Sequence, residues 1–180
     1  PVAGSTSFST ALDESFDVCS CDLDGDGKPD LASTKNGSTS TNITLLRNTS
    51  TPGSMSFAPS TGSIGFPSIN MACGDLNMDG KPDLIMVRGG VTRNQIFVMR
   101  NTSTSGSITF AAPVSLFIDA LQSAFRVVVR DLNLDGKPEL IVSNSNNTAG
   151  ANTIYIFSNQ SSGGTLTMNT TPTKIVVTGA

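Results

Sequence analysis

Histidine is absent from this 180-residue chain, and only 14% of its residues are charged. Without histidine the commonest general base is missing, and no glycine-rich phosphate loop or serine elbow takes its place. The chain therefore reads as no enzyme. Eleven Lys and Arg are scattered without an aromatic-rich basic patch, and the net charge is -3, which sets the chain against a phosphate backbone. No apolar run approaches membrane-spanning length. The three cysteines, Cys19, Cys21 and Cys73, lack zinc spacing. The opening residues contain no signal peptide, and Pro1 stands where an initiator Met would, so a processed or excerpted segment is expected.

What is present is a nine-residue pattern repeated three times: DLDGDGKPD from Asp22, DLNMDGKPD from Asp75 and DLNLDGKPE from Asp131. Each copy places oxygen-bearing side chains at its first, third, fifth and ninth positions, with glycine at the sixth. Calcium takes six to eight hard oxygen ligands, so a short loop must turn tightly while presenting alternate side chains inward, and glycine permits the turn. The expected ligands are Asp22, Asp24, Asp26, the Lys28 carbonyl and Asp30 in the first copy. The second copy offers Asp75, Asn77, Asp79, the Lys81 carbonyl and Asp83, and the third Asp131, Asn133, Asp135, the Lys137 carbonyl and Glu139. About three Ca2+ per chain are thus expected. Ten of the 14 acidic residues lie inside these loops, a crowding that repels itself unless a cation is present. An EF-hand is excluded, because its bidentate Glu at the twelfth position is replaced by Ser33, Met86 and Val142. Asp13, Glu14, Asp17 and Asp119 fall outside the pattern and read as surface charges.

Ser and Thr make up about a quarter of the chain, and with 17 Gly this favours short strands and turns over helices. Strands are expected on either side of each loop. The runs 84–87 and 96–99 are apolar without alternation, which implies burial on both faces, as in a sheet stacked between two others. The copies recur after 53 and 56 residues, and each interval holds four antiparallel strand candidates. One four-stranded sheet cannot bury both of its faces alone, so a radial or stacked β architecture follows. The expected units are a first strand segment in 1–14 that pairs with a neighbouring blade, then blades at 15–64, 65–117 and 118–180.

The string GDLNMDGKPDL, the turns NTSTPGS and NTSTSGS, and the SFAP-type strand resemble the FG-GAP or VCBS repeats of integrin-α-like β-propellers. The resemblance implies an all-β fold of propeller-type blades, with the calcium loop joining the innermost strand to the second. It carries all the loop ligands over, with Asn77, Asn133 and the longer Glu139 as departures. Gly74 keeps the family's glycine before the loop, while Cys21 and Arg130 replace it elsewhere. It also implies a secreted or cell-surface module for adhesion, ligand binding or extracellular assembly, with structural calcium. Two alternatives stand beside this: the non-catalytic propeller portion of a polysaccharide-degrading enzyme, and the repeating subunit of an extracellular filament. A closed propeller has four or more blades, so further blades of a longer chain or self-association are expected, and the ligand is a protein or glycan rather than nucleic acid.

Cys19 and Cys21 share one strand face about 6.7 Å apart by strand rise, too far to bridge each other well. Cys73 falls on the opposite face of its own strand, so stacking would bring it toward them. A disulfide from Cys73 to Cys19 or Cys21 is one expectation, and three free core thiols the other. Glycosylation sequons stand at Asn36, Asn42, Asn48, Asn101, Asn146, Asn159 and Asn169, although Asn-Thr-Ser is part of the repeat itself.

Overall fold

In the computed structural model, the structure describes residues 15–35, 41–90, 93–120, 122–144 and 152–177. Twelve strands and no helix occur among them. The first sheet contains β1 (Ser15–Cys21), β2 (Asp30–Lys35), β3 (Asn42–Asn48) and β4 (Phe57–Ser63). The second contains β5 (Ser68–Gly74), β6 (Asp83–Arg88), β7 (Gln95–Met99) and β8 (Val114–Phe117). The third contains β9 (Ala124–Arg130), β10 (Glu139–Asn144), β11 (Asn152–Phe157) and β12 (Thr173–Val177). Each sheet is an antiparallel meander in sequence order. The fourth strand of the second sheet starts at Val114 rather than near Ile108, because the segment before it holds only an isolated bridge from Asn101 to Phe110. The strand expected within 1–14 lies outside the described residues, as do the sequons at Asn36 and Asn146.

The sheets stack face to face through their inner strands, β1 against β5 and β5 against β9. One core fills the first joint, with Leu23, Ala32, Ile43 and Leu45 meeting Met71, Leu84, Met86, Phe97 and Met99. A second core fills the other, with Ile85, Val87, Ile96 and Val98 meeting Val127, Leu140, Val142, Tyr155 and Phe157. The middle sheet is thereby covered on both sides, which is why β6 is buried from Asp83 through Val87. Stacking of this kind is what the unalternating apolar runs required.

Each inner strand bulges at the same place, where Phe16, Ile69 or Phe125 is an extra residue against its partner strand. A bulge re-aims the neighbouring side chain. The next residue along, five before each loop, is Asp17, Asn70 or Arg126, and the first two reach across the joints. Asp17 Oδ2 accepts the Asn70 side-chain amide at 2.6 Å and the Met71 backbone amide at 2.8 Å. Asn70 Oδ1 in turn accepts the Val127 amide at 2.7 Å. Asp17 is thus a bracing acceptor between sheets and not the surface charge its sequence context implied. Asp119 holds Lys174 at 2.7 Å and accepts the buried Tyr155 hydroxyl at 3.1 Å; the Lys174 bond keeps its carboxyl below the usual range.

The residue just before the loop makes a close contact across each joint. In the first joint it is Cys21, which forms a disulfide with Cys73 across a Cα separation of 6.6 Å, leaving Cys19 as a free thiol. Burial, with Asp17 nearby, pushes the Cys19 thiol up to about 12, so it stays protonated and inert at neutral pH. In the second joint the same position is Gly74, packed so closely on Val129 that an added Cβ would stand 2.6 Å from Val129 Cγ1.

Candidate metal centre

Every loop connects the innermost strand of its sheet to the second, and its shape is set by carboxylates that gather backbone amides. The first-position Asp turns back over the loop: Asp22 accepts the amides of Gly25, Asp26 and Gly27 at 2.8, 3.1 and 2.8 Å. Asp75 does the same for Asp79 and Gly80, and Asp131 for Leu134 and Gly136. The third-position oxygen takes the amide of the fifth residue, and the fifth-position oxygen that of Lys28, Lys81 or Lys137. Gly27, Gly80 and Gly136 carry φ near 86°, the left-handed geometry that the sixth position needs.

The fourth position makes the same demand, which the sequence pattern did not expose. Gly25 satisfies it, but Met78 and Leu134 hold φ of 63° with full side chains. Non-glycine residues in that region store backbone strain that the surrounding structure must override. The loops are therefore over-determined in shape.

The ninth-position carboxylate ties each loop to its sheet. Asp30 is fully buried; its Oδ2 accepts Leu23 and Asp24 amides at 2.8 and 3.3 Å, and its Oδ1 accepts Asn48 at 2.7 Å. Asp83, equally buried, accepts Leu76 and Asn101 amides at 3.0 and 2.9 Å. Burial raises the pKa of Asp30, and it pushes Asp83 up to about 6 against the opposing pull of those amides. Glu139 differs: its Oε2 takes the Leu132 amide at 2.9 Å, but the longer side chain leaves buried Oε1 with no partner. A buried orphan acceptor costs about 1–3 kcal/mol.

These features fit a hard cation. Oxygen atoms of Asp22, Asp24 and Asp30 lie within 4.8 Å of one another. Buried, desolvated carboxylates beside other acids are relieved by a positive charge, and the orphan Oε1 is an unused oxygen donor. Among the described residues this three-carboxylate group occurs in the first loop and does not include Asp26, and the acids of the other two loops form no such group. Asn77 and Asn133 turn their side-chain amides toward Asp79 and Asp135, at 2.9 and 3.2 Å, and offer Oδ1 as the oxygen donor.

The first two loops are also roofed by the hairpin turn of the following repeat. Asn101 Nδ2 donates to the Leu23 and Pro82 carbonyls, both at 2.9 Å, and the Gly106 amide donates to Asp24 Oδ2 at 2.8 Å. One repeat on, Asn159 Nδ2 donates to the Leu76 and Pro138 carbonyls, both at 3.0 Å, and Gly164 donates to the Asn77 carbonyl at 2.9 Å. The structure thus gives a different role to two of the expected glycan sites. Asn101 and Asn159 are buried, and a glycan on either nitrogen would remove one of its two N–H groups and with it one of the two roofing bonds. Asn48 is likewise buried with Nδ2 on the Pro29 carbonyl, whereas Asn42 is half-buried in β3 and Asn169 is exposed. The roofing role of Asn and Gly was legible only as the recurrence of NTSTxGS-type turns.

The model of the FG-GAP-like repeat matches residues 22–86 and again 75–142. The chain belongs to the FG-GAP-like repeat family. Each match begins at the first Asp of one loop and ends within the second strand of the next repeat, so the FG-GAP-like unit spans the loop, the hairpin turn and the joint between sheets. No curated protein matches the chain. Among the described residues, no helix is long and apolar enough to cross a membrane.

Proposed function

We propose that this FG-GAP-like chain is a calcium-binding module of β-propeller type, secreted or displayed at a cell surface, in which the ion is structural and the stacked sheets serve adhesion, ligand binding or extracellular assembly. The observation that carries the reading is the buried ninth-position carboxylate, tied to its loop and its sheet at once and, in Glu139, left with an orphan oxygen. Asp22, Asp24, Asp26 and Asp30 hold the first ion, with their counterparts holding the others. A cation there neutralises acids that burial otherwise raises in pKa and locks the loop onto its roof. The Cys21–Cys73 disulfide supports an oxidising compartment.

Calorimetric titration tests the reading, with three Ca2+ per chain expected. An ion that binds only the folded state at a hundred times its dissociation constant adds about 2.7 kcal/mol per site. Chelation should therefore lower the melting temperature by several degrees, and Asp26→Ala should lose the first site's share. The first site is expected to be tightest because it offers four carboxylates. The absence of both a heat of binding and a melting shift at millimolar calcium would refute the proposal.

A further inference from the structure

We propose that the first two loops do not fill independently: the hairpin turn 101–107 clamps both at once, so that an ion in either loop raises the affinity of the other. The inference rests on the calcium reading above and adds to it a coupling between sites, with Asn101 and Lys81 as positioning residues.

Asn101 stands between the two loops and is buried, at 2% exposure. Its side-chain amide is divided between them, donating to the Leu23 carbonyl of the first loop and to the Pro82 carbonyl of the second. Two further bonds tie the turn to the second loop. The Asn101 backbone amide donates to Asp83 Oδ1 at 2.9 Å, and Lys81 Nζ donates to the Ser103 carbonyl at 2.7 Å. On the other side the Gly106 amide donates to Asp24 Oδ2 at 2.8 Å. A carboxylate oxygen has more than one lone pair, so Asp24 and Asp83 accept these amides and keep acceptor capacity for an ion. Between its anchors the turn is stiff. Asn101 Oδ1 accepts the Ser103 amide at 2.8 Å, Ser103 Oγ accepts the Thr109 amide at 2.9 Å, and Thr104 and Ser107 exchange both backbone bonds. The turn therefore moves as one body, docked on both loops or released from one.

These bonds set the sign of the coupling. An ion that orders the second loop fixes Lys81, Pro82 and Asp83, and with them the turn that reaches Asp24. The first ion then meets a loop whose roof has already lost its freedom, so its binding costs less ordering entropy. Linkage makes the effect reciprocal, and an ion that fixes Asp24 holds the turn for the second loop.

The third loop provides a contrast within the same molecule. Turn 159–165 bridges the second and third loops in the same manner, with Asn159 Nδ2 on the Leu76 and Pro138 carbonyls and Gly164 exchanging two bonds with Asn77. Its anchor on the third loop is weaker. Glu139 Oε2 holds the Leu132 amide as Asp83 Oδ2 holds that of Leu76, but Oε1, the counterpart of the oxygen that takes Asn101, is buried with no partner. Coupling between the second and third loops is therefore smaller, and the extra methylene of Glu139 is what reduces it.

Calcium titration against a competing chelator reads the coupling. In an Asp135→Ala background, which leaves the first two sites, binding should be sigmoidal, the second ion binding about tenfold tighter than the first. Asn101→Ala should abolish that difference. Lys81→Met, which removes the strut to Ser103 and keeps Asn101 in place, should reduce it and decides the matter if Asn101→Ala fails to fold. In an Asp26→Ala background, which leaves the second and third sites, the cooperativity should be weaker, and Glu139→Asp should raise it. In the same Asp26→Ala protein, calcium should still slow hydrogen exchange at the Gly106 amide, whose acceptor belongs to the first loop. Independent sites in the Asp135→Ala protein, or cooperativity unchanged by Lys81→Met, would overturn the coupling and leave the calcium reading standing, whereas no calcium uptake at all would overturn both.

Discussion

Alanine at Gly74 probes the stacking of the second and third sheets most directly. Gly74 has no left-handed backbone to protect, so in an isolated strand the substitution would stabilise by about 0.5–1 kcal/mol through reduced unfolded-state freedom. In this structure the new Cβ would stand 2.6 Å from Val129 Cγ1 and 3.2 Å from Val129 Cβ. Val129 is β-branched and cannot swing away without leaving its rotamer, so overpacking should cost about 1–3 kcal/mol. The net expectation is destabilisation by about 0.5–2 kcal/mol, and for a chain of this size each kcal/mol lowers the melting temperature by about 2–4 °C. Val129→Ala alone removes two half-buried carbons and should cost about 1 kcal/mol. In the double variant the clash is gone, so Gly74→Ala should become neutral or stabilising, with a coupling of about 1–3 kcal/mol in the cycle. Urea denaturation of the four proteins measures it. A Gly74→Ala variant as stable as the parent, or an additive double variant, would show that the sheets do not meet at this distance.

Two further expectations concern the first joint and the loops. The Cys21–Cys73 disulfide closes a separation of 52 residues, for which chain entropy gives about 4 kcal/mol; reduction should lower stability by up to that amount, and alkylation of the unfolded, unreduced chain should label one thiol, Cys19, whereas labelling of three would contradict the pairing. Asp83, raised from 3.8 to about 6 by burial, binds its proton more tightly folded than unfolded, so its contribution to stability is full below about pH 3.8 and is lost as pH rises to about 6. In EDTA, the parent should therefore lose more stability than Asp83→Asn between those pH values, and parallel pH profiles of the two proteins would discount the burial effect.

The loops were legible in the sequence because their requirements are local. Alternate oxygens and a glycine at a fixed place can be read from nine residues, and three copies fixed the repeat length and hence the strand count. The edges of β2, β6 and β10 could be placed because each begins at the loop's last acid. The apolar runs in β6 and β7 already required cover on both faces.

Contacts between repeats were decided by the tertiary structure alone. Asp17 and Asn70 look unremarkable in sequence, and only the stacking of inner strands with matching bulges lets them brace the next sheet. The choice of Cys21 over Cys19 depends on which sulfur the joint brings to Cys73, a matter of Cα separation across sheets. Asn101 and Asn159 read as sequons but fold into roofs over the preceding loop. The strain at Met78 and Leu134 was equally hidden, because a side chain at a left-handed position violates the local preference and persists only where the surrounding bonds impose it. Local spacing determined the loop, while packing between repeats determined what surrounds it.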